Sequence, residues 1–176
     1  MIRSILIFGL MLICAGASAQ TVLVTGSNRG IGLELVTQYA ADGWDVIATS
    51  RSPADDDELQ ALAKMNANIT IETLDVTDTI QIAALAEKYR GRPIDVLINN
   101  AGLLGGREGQ DWGNLSADLF QQLMAVNVFG PMKVSEAFSA NVALSKQKKI
   151  IVILSVFKQM GQMCCQVKRV FCSSFS

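Results

Sequence analysis

The chain has 176 residues, half of them apolar, a formal net charge of −1 and no histidine. That length suits one domain able to bury a core without disulfides or metal, and the balanced charge gives no electrostatic case for nucleic acid or an anionic membrane as partner. The absence of imidazole excludes His-ligated zinc, a Ser-His-Asp hydrolase and Cys-His catalysis, each of which needs that ring near neutral pH.

Residues 1–19, MIRSILIFGLMLICAGASA, carry an arginine at position 3, an apolar run from Ile5 to Ala15, and the small residues Ala17 and Ala19. This is the layout of a secretory signal peptide cut after Ala19, so export to a periplasm or the medium is expected. A retained anchor or a false start codon, giving a membrane-anchored or cytoplasmic protein, is the alternative. The apolar run is shorter than the roughly 20 residues a membrane span requires.

From Gln20 onward short β-rich runs alternate with longer helical ones. TVLV (21–24) reads as a buried strand, and residues 31–43 as a helix with Ile31, Leu35, Tyr39 and Ala40 on its apolar spacing. WDVIAT (44–49) is the second strand. A helix over 55–66 follows Pro53 and three aspartates, whose negative charge suits a helix N-terminus. A third strand over 69–76, a helix over 77–91 and a fourth strand over 94–99 come next; a long helical pattern over 116–144 and a fifth strand over 150–155 follow. Continuous apolar strands separated by helices predict an α/β fold, a doubly wound parallel sheet covered on both faces. Such a sheet places its ligand outside the carboxyl ends of the strands.

The first strand ends in TGSNRGIG (25–32). Gly26, Gly30 and Gly32 permit a tight turn, close backbone approach to a pyrophosphate and close packing of the next helix, whose free N–H groups attract phosphate. Ser27, Asn28, Arg29 and Ile31 complete the candidate loop. A purely structural turn is the alternative, but the position between a strand and a helix favours a cofactor. The second strand ends in Ser50 and Arg51, where an acidic residue would bond the ribose hydroxyls of NAD. A cation in place of that carboxylate, with Arg29 as a second, favours NADP(H) over NAD(H); two merely solvated arginines are the alternative. Asp75, followed by Val76, could accept from an adenine amino group. Asn99 and Asn100 precede Ala101 and Gly102, small enough to let a nucleotide lie against the strand end, although an Asn-Asn pair also serves as a turn device.

TGSNRGIG, the DVTD after the third strand, NNAG after the fourth and NVFGP (127–131) resemble the short-chain dehydrogenase/reductase family. RGIGLELV, VIATSR and NVFGPMKV resemble its carbonyl-reductase-like branch, typified by the C-factor and sniffer proteins. The resemblance covers residues 21–155 and implies a Rossmann fold acting on a small-molecule carbonyl or alcohol. It implies that Gly26, Gly30 and Gly32 cradle the pyrophosphate, Asp75 and Val76 sit at the adenine, and Asn99 to Gly102 brace the ribose. It also implies that Asn127 matches the asparagine holding a water in the proton relay, and Ser155 the serine that bonds the substrate carbonyl. Leu154 stands where the family commonly has another serine.

The family's proton donor is a tyrosine followed four residues later by a lysine that lowers its pKa, since a free phenol near 10 is poorly matched to neutral pH. Beyond Tyr89 this chain has no tyrosine, and Lys168 stands about where one is expected. Residues 156–176 contain three of the four cysteines, no alternation and no glycine loop. They read as an aberrant tail, produced by a frameshift near codons 154–156, with a divergent genuine tail as the alternative. Cys164, Cys165 and Cys172 lack zinc-site spacing, and adjacent cysteines rarely pair, so they are assigned no function. Three regions are therefore expected: a signal peptide (1–19), a dinucleotide-binding domain (20–155) incomplete at its C-terminal edge, and the tail. An open sheet edge favours association into an oligomer.

Overall fold

The computed structural model describes residues 19–105, 114, 116–153 and the backbone of 173–174. Six strands form one sheet in the order β3-β2-β1-β4-β5-β6: β1 (Thr21–Thr25), β2 (Asp45–Ser50), β3 (Ile69–Thr73), β4 (Val96–Asn99), β5 (Lys149–Val152) and β6 (Ser173–Ser174). The first five are parallel, and β6 pairs antiparallel with Lys149 and Ile150 at the start of β5.

Alternation along the strands divides the core in two. Val22, Val24, Val46, Ala48, Val96 and Ile98 face one side, where they pack with Val36 and Ala40 of α1 (Gly30–Ala41) and Leu59 of α2 (Asp57–Met65). Leu23, Ile47, Leu97 and Ile150 face the other, against Ile82 and Leu85 of α3 (Thr79–Lys88). Val134, Phe138 and Val142 of α5 (Gly130–Leu144) complete that second layer. Helices on both faces explain why the strands read as unbroken apolar runs.

Several expected boundaries move. The third strand stops at Thr73, because Ser50 at the end of β2 supplies its last partner and the Leu74 amide then turns to the Ser50 carbonyl at 2.8 Å. The third helix begins at Thr79 because the Asp78 carboxylate accepts from the Ile80 and Gln81 amides at 2.9 and 3.0 Å, capping it. A 3₁₀ turn over Pro53–Asp55 delays α2 to Asp57. The fifth strand ends at Val152, so the expected Ser155 terminus lies outside the described residues.

In α1 the buried stripe is Gly32, Val36 and Ala40, whereas Ile31 is 48% exposed and faces the cleft described below. The long helical pattern is two α-helices, α4 (Ala117–Met124) and α5, joined through a π-helical stretch at Ala125–Phe129. A wider turn of that kind has no signature in apolar periodicity, and such turns often mark functional positions.

Candidate active site

The sheet grows outward from β1 in both directions, and the reversal falls between β1 and β4. Side chains beyond the carboxyl ends of these strands enclose a cleft of about 880 Å³. The glycine turn forms its floor. Gly26 has φ +66, and a Cβ there would stand 2.8 Å from the Ala101 Cα, so both conformation and space require glycine. Gly32 lies beneath, where a Cβ would meet the Gly26 carbonyl oxygen at 2.1 Å and the Asn100 Nδ2 at 2.5 Å. Gly30 differs: its φ is +56, yet a Cβ would meet nothing within 4 Å.

The carboxyl end of β4 is fastened to this turn. Asn100 Nδ2 donates to the carbonyls of Thr25 and Gly26 at 3.1 and 2.9 Å, and the Thr25 hydroxyl accepts from the amides of Asn100 and Ala101 at 3.0 Å each. Asn100 is thus an anchor of the cradle as well as part of its wall. Ser27 lies buried under the turn, its hydroxyl donating to the Val24 carbonyl at 2.8 Å and its amide to the Thr49 carbonyl at 2.9 Å. Asn99 is also buried and donates to Ser135 Oγ at 3.0 Å.

Helix α1 begins at the cleft. Arg29 at its N-cap makes no side-chain cap bond and the first turn holds no acid. Helices α2 and α5 likewise lack a side-chain cap bond, whereas α3 and α4 are capped by Asp78 and Ser116. The positive end of α1 therefore meets the cleft without a capping side chain, an arrangement that suits a phosphate.

At the far side of the cleft stand Arg29 and Arg51, both exposed, with Asp75. Burial pushes the Asp75 carboxyl up, but the Thr77 hydroxyl and amide, at 2.7 and 2.8 Å, together with the Arg51 charge, hold it below the usual carboxylate value. Val76 lies beside it and also fixes α5: a Cβ on Gly130 would stand 3.0 Å from Val76 Cγ2, which explains the glycine of NVFGP.

The absence of a carboxylate after the second strand holds for Ser50 and Arg51 but not for the space around them. Asp56, arriving from the turn before α2, accepts a hydrogen bond from Asn28 Nδ2 at 3.2 Å and another from Ser50 Oγ. Nothing in local sequence spacing marks it, since it reaches the site across a loop.

Asn127 sits in the π-helical stretch, half-buried, and its side chain clasps Leu103. Its Oδ1 accepts from the Leu103 amide and its Nδ2 donates to the Leu103 carbonyl, each at 2.8 Å. It thereby pins the segment after Gly102 over the cleft, while Ile153 closes the wall below. Ser155 lies outside the described residues. Neither tyrosine lines the cleft: Tyr39 packs edge-on against Trp44, and Tyr89 donates to Glu72 Oε1 at 2.7 Å in a cavity at the amino ends of the strands. Among the described residues no cluster of three or more His, Cys, Asp or Glu side chains could hold a metal ion.

A glycine turn packed against the neighbouring strand end, beside an uncapped helix terminus at the reversal of strand order, is the place where a doubly wound α/β domain takes its ligand. The chain belongs to the short chain dehydrogenase family, which it matches over residues 20–167. A curated relative, (+)-neomenthol dehydrogenase of Arabidopsis thaliana, is 32% identical over 165 residues, covering 80% of this chain and 54% of its own. A short-chain dehydrogenase/reductase from Burkholderia multivorans with bound NADP is 37% identical with a TM-score of 0.66, over 70% of this chain and 54% of that one. NADPH-bound carbonyl reductase from chicken fatty liver is 34% identical with a TM-score of 0.67, over 74% and 54%. The chain spans about half the length of the curated relatives it matches. The family match runs past Ser155, beyond the 21–155 span of the motif resemblance, to residue 167.

Proposed function

We propose that this chain is the cofactor-binding half of an NADP(H)-dependent carbonyl or alcohol oxidoreductase, with little or no turnover of its own. The observation that carries the reading is the cradle itself: Gly26 and Gly32 packed under open space at Gly30, at the uncapped end of α1. Bound NADPH would supply a hydride. Gly26, Gly30 and the first turn of α1 would hold the pyrophosphate, and Arg29 and Arg51 the 2′-phosphate, in keeping with the NADP and NADPH present in similar structures. Asp75 and Val76 would border the adenine, and Ala101 and Gly102 the nicotinamide ribose.

A carbonyl that accepts a hydride also needs a proton on its oxygen. Tyr39 and Tyr89 are the only tyrosines in the chain, and burial, with Asp42 or Glu72 nearby, pushes both phenols up, opposite to what a proton donor at neutral pH needs. Export after Ala19 belongs to the same proposal. Cleavage there preserves the Gln20 carbonyl, which accepts from the Asp45 amide at 2.9 Å, and the Thr21 amide, which donates to Asp95 Oδ2 at 2.9 Å. The test of impaired catalysis is NADPH oxidation with simple aldehydes and quinones. We expect no rate above the protein-free blank; steady oxidation that disappears in Ser155→Ala would overturn it.

A non-catalytic dinucleotide-binding or partner-binding protein is the second reading, favoured by the exposed Phe120 of α4, Phe129 of the π-helical stretch and Met132 at the start of α5. Saturable NADPH binding without turnover fits it.

A further inference from the structure

The turn after β2 brings the Asp56 carboxylate and Arg51 to the end of the cleft where Arg29 of the glycine turn also stands. Asp56 stands at the N-cap of α2, where an aspartate ordinarily accepts from the helix's own first amides, yet it makes no such bond. Its oxygens are instead held by Asn28 from the glycine turn and Ser50 from the end of β2. The carboxylate therefore bridges the two segments between which an adenosine ribose lies in this fold. Arg29 and Arg51 line the same region. A carboxylate so placed accepts well from a ribose 2′-hydroxyl and repels a 2′-phosphate, while the arginines do the reverse.

We infer that Asp56 is a specificity-determining residue for the cofactor: it opposes the two arginines, weakens the preference for NADP(H) and admits NAD(H). The inference rests on the dinucleotide reading of the cleft. A 2′-phosphate must displace the carboxylate from Ser50 or lie beside a like charge. Removing that charge while keeping its shape relieves the repulsion, because an asparagine can still accept from Asn28 and donate to the Ser50 hydroxyl.

The test is equilibrium titration of the full chain with 2′,5′-ADP and 5′-AMP, then with NADPH and NADH. Asp56→Asn is expected to raise affinity for 2′,5′-ADP relative to 5′-AMP by roughly tenfold, the scale of one screened like-charge contact near a surface. Arg51→Gln is expected to move the ratio the other way. Asp56→Ser serves as a second variant should the asparagine form fold poorly, and thermal unfolding of each checks that it is folded. An unchanged ratio in a folded Asp56 variant, with the wild type binding both nucleotides, overturns the inference and leaves the dinucleotide reading standing. If the wild type binds neither nucleotide, that reading fails and the inference fails with it.

Discussion

Two glycines two residues apart should respond very differently to the same added methyl group. At Gly32 a Cβ would overlap the Gly26 carbonyl oxygen at 2.1 Å and Asn100 Nδ2 at 2.5 Å, so backbone must retreat by more than an ångström. Overpacking against side chains costs about 1–3 kcal/mol, and a backbone obstacle belongs at the upper end or above. Alanine recovers about 1 kcal/mol of helix propensity, leaving a net loss of roughly 2–3 kcal/mol. For a chain of this size that lowers Tm by roughly 5–10 °C. The displaced Gly26 carbonyl and Asn100 also deform the cradle, so Gly32→Ala should abolish NADPH binding. At Gly30 the same methyl enters open space and only the φ of +56 opposes it, a cost of about 1–2 kcal/mol. Urea unfolding of both variants, read with NADPH titration, decides the matter. A Gly32→Ala chain as stable as the wild type, or less affected than Gly30→Ala, would refute the packing argument.

Tyr89→Phe removes the hydroxyl donated to the nearly buried Glu72 and should cost about 2 kcal/mol in urea unfolding, since Lys88 at 2.6 Å remains as the carboxylate's other partner. Because the folded Tyr89 pKa is raised, its contribution is full below the ordinary value of 10.0 and is lost as pH rises beyond it, so alkaline unfolding should come later relative to neutral stability in Tyr89→Phe. Asp75 behaves oppositely: its lowered carboxyl contributes fully above 3.8 and loses that contribution as pH falls through the folded value, so Asp75→Asn should flatten the acid limb of stability against pH. Asn127→Ala leaves the Leu103 amide and carbonyl to water at a cost of about 1 kcal/mol, and hydrogen exchange at Leu103 should quicken while core strands stay protected.

The strands were legible because a sheet covered on both faces needs unbroken apolar runs such as TVLV and VLIN, which few other elements tolerate. Their ends were less so, since Thr73 and Leu74 are placed by Ser50 across the sheet. The glycine turn was legible as a turn, but the division of labour within it was not. Only in three dimensions does Gly32 underlie Gly26 and does Ser27 face inward. Asn127 could be picked out by its motif, whereas its clasp on Leu103 depends on a π-helical turn invisible to periodicity. Asp56 was not legible as a site residue, because the residues next to the strand, Ser50 and Arg51, carry no carboxylate and this one arrives from the beginning of the following helix.

The proposed function has two parts: the cradle holds NADPH, and neither Tyr39 nor Tyr89, both outside the cleft, delivers the proton. One fluorescence trace addresses both, following NADPH emission as the full chain is added and then a simple aldehyde. We expect an enhanced, saturable signal that Arg51→Gln weakens and that stays steady after the aldehyde. No enhancement at any protein concentration, or a decay on adding the aldehyde that requires the protein, would contradict it.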